Sequence, residues 1–110
     1  MDQTTVAGAV EALEDVHKAL TAAYWDANDV FQKDTVFDIL SIITAELSEL
    51  SKLSIEDHYM AYEPVSSQFP ACARKFQQLQ TNIDGWFPRT LTAQDLHESL
   101  PRALALIPAK

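Results

Sequence analysis

The sequence predicts an all-α protein: an antiparallel bundle of four helices with a long αα-hairpin at the N-terminus, the third helix followed by a short, Pro-kinked fourth. Three observations carry that expectation. Apolar residues recur at intervals of three and four over most of the chain, the period of a helix with one buried face. Only 2 glycines and 5 prolines occur in 110 residues, which suits long helices better than the many tight turns of an all-β fold. Ser and Thr stand just ahead of several apolar runs, where helix N-caps belong. With 47% hydrophobic residues the chain can pack a core, and residues 1–110 read as one domain.

The first helix starts after Thr4 or Thr5 as N-cap, and Val6, Val10, Leu13, Val16, Leu20 and Ala23/Tyr24 fall on one face. No Gly or Pro stops it, so its end is placed within residues 26–32. The second is expected to start near Asp34 or Thr35, with Asp38 three residues after Thr35 in the manner of a capping box. Its stripe is Phe37, Leu40, Ile43, Leu47 and Leu50, widened by Ile39, Ile42 and Leu53, with Glu46, Glu49 and Lys52 on the other side. A short connection makes helices one and two a hairpin.

Residues 54–66 break the period and read as a loop with at most one helical turn; Pro64 disfavours helix at Glu63. The third helix is expected over residues 67–84, with Ser67 as N-cap and Pro70 in the first turn. Phe69, Ala73, Phe76, Leu79 and Ile83 form its stripe, which reaches Trp86 and Phe87, and Gly85 stands where a left-handed C-cap belongs. The fourth has Thr92 as N-cap, Asp95 at N3 and a staple of Leu91 on Leu96. Leu96, Leu100, Ala103, Leu104 and Ile107 supply its apolar face, and Pro101 predicts a kink or break near Ser99.

The formal net charge is −8, and it is unevenly spread: residues 1–57 hold twelve carboxylates against three lysines, while the remainder is nearly balanced. Phosphate-backbone binding draws on Lys and Arg clusters, which are missing here, so a nucleic-acid partner is not expected. The acids read first as a solvated surface, and second as a face for a basic partner. One cysteine, Cys72, cannot form an internal disulfide, which suggests a reducing compartment. The first residues lack the basic start and apolar run of a secretion signal, and the longest uncharged stretch, residues 64–73, is too short to span a bilayer. A cytoplasmic location without a membrane partner is therefore expected.

Four groups of residues invite a chemical reading. Glu14 and His17 have the i, i+3 spacing of the metal ligands in di-iron carboxylate bundles. Such a site needs the motif twice and glutamates from two more helices; Glu46 and Glu49 offer carboxylates, and a dimer would bring a second copy by symmetry. The plainer reading is a histidine at the border of an apolar stripe among solvated acids. Asp57 and His58 lie beside Tyr59 and Tyr62 in the irregular segment, where a carboxylate-paired imidazole can act as a base or line a ligand pocket. The plainer reading is a surface loop whose tyrosines cover the bundle end. Cys72, near a helix start with Arg74 and Lys75, has the setting of a lowered thiol pKa, although a buried structural cysteine is the commoner case. His97 reads as an exposed helical residue.

The aromatic groups Tyr24-Trp25, Tyr59/Tyr62 and Trp86-Phe87 can gather at one pole of the bundle, and Tyr24, Trp25, Trp86 and Phe87 are the candidate interface. There is no Gly-rich phosphate loop, no Cys-x-x-Cys, no Gly-x-Ser-x-Gly and no His-Glu-x-x-His, and no motif assigns the chain to a family. The expected function is thus a non-enzymatic protein–protein interaction or regulatory module acting as a homodimer, without a cofactor. The alternatives are a small-ligand- or metal-binding bundle with Glu14 and His17 as metal ligands, and an acidic decoy for a basic nucleic-acid-handling protein.

Overall fold

The computed structural model describes residues 4–87 and 89–107. The described residues form helices and connections, with one isolated antiparallel bridge between Thr5 and Ala61. In order they are α1 (Val6–Asp26), α2 (Val30–Leu50), a 3-10 turn (Glu56–Tyr59), the single-turn α3 (Gln68–Ala71), α4 (Ala73–Trp86) and α5 (Thr90–Leu104).

Helix α1 starts as its cap dictates: the Thr5 hydroxyl accepts from the Gly8 N–H at 3.1 Å. Its buried face, Val6, Ala9, Ala12, Leu13, Val16, Ala19, Leu20 and Ala23, alternates small and large residues. The alanines let two neighbours approach closely, and α1 packs along both α2 and α5. Helix α4 in turn packs on α5 and α2. Phe69, Phe76, Phe87, Leu13, Leu20 and Ile39 are among the largest side chains sealed between them.

Several local expectations are corrected. The chain leaves α1 at Ala27, and Asp29 caps α2 by accepting from the Gln32 N–H at 2.8 Å, while the Gln32 side chain accepts from Asn28 N–H at 3.0 Å. The second helix therefore starts at Val30, not at Asp34 or Thr35; Thr35 lies inside it and bonds back to the Phe31 carbonyl. Its buried face is Val36, Ile39, Ile43, Glu46 and Leu50, so Phe37 points outward and Glu46 inward. The expected third helix is two: Cys72, at φ −93° and ψ 9°, breaks it after a single turn. Gly85 is not a left-handed cap, because α4 continues to Trp86 and ends at an extended Phe87, the residue before Pro88. Thr92 does not cap α5, which starts two residues earlier, and Leu91 is exposed rather than stapled to Leu96. Of the kink or break expected near Ser99, the break does not occur: α5 continues past Pro101 to Leu104. Pro101 sits on the exposed side, where water can serve the carbonyl it leaves without a donor.

No described helix is long and apolar enough to cross a membrane.

Candidate functional site

The junction of α1 and α2 gathers aromatic side chains at one end of the molecule. Tyr24 and Trp25 meet edge to face at 5.2 Å between ring centroids, and Tyr24 lies 6.3 Å from Phe37. Lys33 locks this group. Its ammonium donates to the Tyr24 carbonyl at 2.7 Å and stands 4.6 Å from the Tyr24 ring centroid and 5.7 Å from that of Trp25. On the other side of α2, Phe31 meets Trp86 edge to face at 5.8 Å, and Trp86 lies 6.4 Å from Phe87.

Asp26 joins this end to the start of α5. It accepts from the Thr92 hydroxyl at 2.5 Å, and its other oxygen lies 3.6 Å from Arg89 Nε. An open cleft of about 570 Å³ runs beside this tie, lined by Trp25, Leu91 and Asp95 among others. Trp25 is 73% exposed, Leu91 75%, Phe31 60% and Phe37 56%. Of the four residues expected at an interface, Tyr24 and Trp86 are half-buried, Trp25 is exposed and Phe87 belongs to the core. Sequence reasoning missed Phe31, Phe37 and Leu91: the spacing reads Phe37 as part of a buried stripe and Leu91 as a staple on Leu96.

The tyrosines of the irregular segment lie at the opposite end. Tyr59 is exposed on the 3-10 turn, whereas the Tyr62 hydroxyl donates to Glu46 at 2.5 Å. Glu46 is 0% exposed and also accepts from the backbone N–H groups of Val65 and Ser66, both at 2.9 Å. Burial and the adjacent Glu46 carboxylate push the Tyr62 phenol well above its ordinary pKa. The sequence did hold a signal for this network: Ile39, Ile43, Glu46 and Leu50 share one helical face.

Of the pocket residues expected, Asp57, His58, Tyr59 and Tyr62, the last three point to different surroundings. His58 lines a groove of about 460 Å³ with Val10, Glu14, Leu47 and Leu50, while Tyr62 faces Glu46 and Tyr59 faces solvent. Glu14 and His17 share an adjoining cleft with Thr44 and Leu47. Glu46, already committed to three donors, does not join them, and the described residues contain no group of three or more His, Cys, Asp or Glu arranged to hold a metal.

Cys72 is buried, and its thiol donates to the Phe69 carbonyl at 3.0 Å. Burial pushes the thiol up to about 11, and the opposing field of Lys75 is the smaller effect. The folded state thus holds the thiol proton to higher pH than the unfolded chain. Its contribution to stability is complete below about pH 9 and is lost as pH rises towards 11. Chemical denaturation at pH 8, 9, 10 and 10.5 should show stability falling above pH 9, with a smaller fall in Cys72→Ala; an equal fall in both proteins would dissociate Cys72 from the effect.

No protein family matches the chain, and neither curated proteins nor solved structures yield a significant match.

Proposed function

We propose that the four long helices pack as an antiparallel bundle, opened by the α1–α2 hairpin, and that the protein is a non-enzymatic interaction module of the cytoplasm. It acts as a homodimer joined through the aromatic end. The observation that carries this reading is the exposure of Trp25, Phe31, Phe37 and Leu91 around that end. Large apolar patches on a folded surface mark interaction sites more often than isolated apolar residues do.

Trp25 and Leu91 line one cleft at this end and Tyr24 joins Trp25 to Phe37, so three of these exposed apolar side chains stand together as a candidate contact surface. The Lys33 contacts hold Tyr24 and Trp25 in place before association, so little side-chain entropy is lost on docking. A second copy is the simplest occupant, since one patch then serves both sides of a two-fold interface.

Two chains of net charge −8 repel each other, so salt should strengthen a dimer held by apolar contact. Sedimentation equilibrium from 1 to 100 µM, at low and high salt, tests this directly. The expected outcome is a monomer–dimer equilibrium that shifts to dimer as salt rises. A single-chain mass at every concentration and both salts would overturn the homodimer, and a reproducible small-molecule adduct in native mass spectrometry would favour the ligand-binding alternative.

A further inference from the structure

Residues 51–68 are unlike the rest of the chain. None of their side chains is buried, although they lie against the ends of α1 and α2. Only Leu53 and Tyr62 of this segment pack against the core, and both are only partly buried, so the hydrophobic contribution that holds the helices together is small here. Its other attachments are few and polar. Near the start of α1, the Val6 N–H donates to the Met60 carbonyl at 2.9 Å and the Tyr62 N–H donates to the Thr4 carbonyl at 2.8 Å. On α2, the Glu46 carboxylate accepts from the Tyr62 hydroxyl, Val65 N–H and Ser66 N–H.

These bonds act as a set. Three of the five converge on one side chain, and Tyr62 takes part in both attachments. Losing Glu46 as acceptor leaves three donors without a partner in the closed position. In a lifted position water satisfies all three, and it solvates the Glu46 carboxylate as well. His58, carried by the 3-10 turn, forms part of the wall of the groove whose apolar lining is Val10, Leu47 and Leu50. Moving the segment away takes that wall with it.

We infer that residues 54–66 are a strap latched by Glu46, which lifts as one unit while the helices stay folded and thereby opens the groove between α1 and α2. The strap lies at the end opposite the aromatic surface, so it stands or falls independently of dimerisation.

Hydrogen exchange read by mass spectrometry, with Nile red as an apolar probe, tests the latch in the full chain. In Glu46→Gln the amide cannot accept from all three donors, and its NH₂ group opposes at least one of them. Exchange at Tyr62, Val65 and Ser66 should rise about tenfold or more, protection in α1, α2, α4 and α5 should be unchanged, and Nile red emission should increase. Tyr62→Phe deletes one bond of the three, keeps the fold, and should give an intermediate rise. A proportional rise in exchange throughout the helices would show that Glu46 supports the whole core and would overturn the strap. So would unchanged exchange in the strap of both variants, or faster strap exchange with no gain in Nile red binding.

Discussion

Phe76→Ala should cost about 3–5 kcal/mol of folding stability, the range for deleting a fully buried aromatic side chain. Phe76 has no exposed surface and meets Phe69 edge to face at 6.2 Å between centroids. Its ring stands on α4, which packs against both α5 and α2, so the void opens where several elements join and cannot close by moving one side chain. For a chain of this length, a loss of that size lowers the melting temperature by roughly 15 °C or more. Urea denaturation followed by circular dichroism should show a lower midpoint with an unchanged slope. The neighbouring Gln77→Ala, at an exposed position of the same helix, should stay within about 0.5 kcal/mol of the parent. A loss below about 1 kcal/mol in Phe76→Ala would mean that α4 is not packed as described.

Trp25→Glu should weaken self-association at least a hundredfold, about 3 kcal/mol, while leaving the folded monomer intact. The ring is largely exposed, so its removal opens no cavity. It also rests on Tyr24 and beside Lys33, contacts that restrict its rotamers before any association. A carboxylate there would have to be desolvated against an apolar partner surface, which adds to the loss of contact. Tyr59→Glu, an equally exposed aromatic at the other end, serves as the control and should leave the dissociation constant unchanged. If Tyr59→Glu weakened the dimer and Trp25→Glu did not, the interface would lie at the strap end. Equal constants for parent and Trp25→Glu would remove the aromatic end from the interface.

Several roles that follow from neighbours within one turn were legible in the sequence, the Asp29 cap of α2 being an exception. Thr5 caps α1, the Leu13–Val16–Leu20 face is buried, and Phe69, Phe76, Leu79 and Ile83 line the core. Roles set by residues far along the chain were not. Thr92 followed three residues later by Asp95 has the pattern of a cap, yet its hydroxyl serves Asp26, 66 positions away. Glu46 was assigned to the surface because charge usually means exposure. Burial became tolerable only when the strap brought one hydroxyl and two backbone donors to it. The break at Cys72 was hidden for a similar reason. Phe69 and Phe76 keep helical spacing across it, so the periodicity alone reads as one uninterrupted helix.

The candidate surfaces followed the same division. Of the aromatic groups expected at one pole, Tyr24, Trp25 and Trp86 stand at one end, whereas Tyr59 and Tyr62 lie at the other. Which rings face solvent depended on the rotation of α2, and the wide apolar stripe of that helix allowed several rotations. By itself the sequence determined an acidic, all-helical chain and the start of its first helix, because periodicity and capping are local. Tertiary structure alone decided the facing of α2, the donors that satisfy Glu46 and the exposure of Trp25, Phe31, Phe37 and Leu91, because each depends on which distant surface a side chain meets.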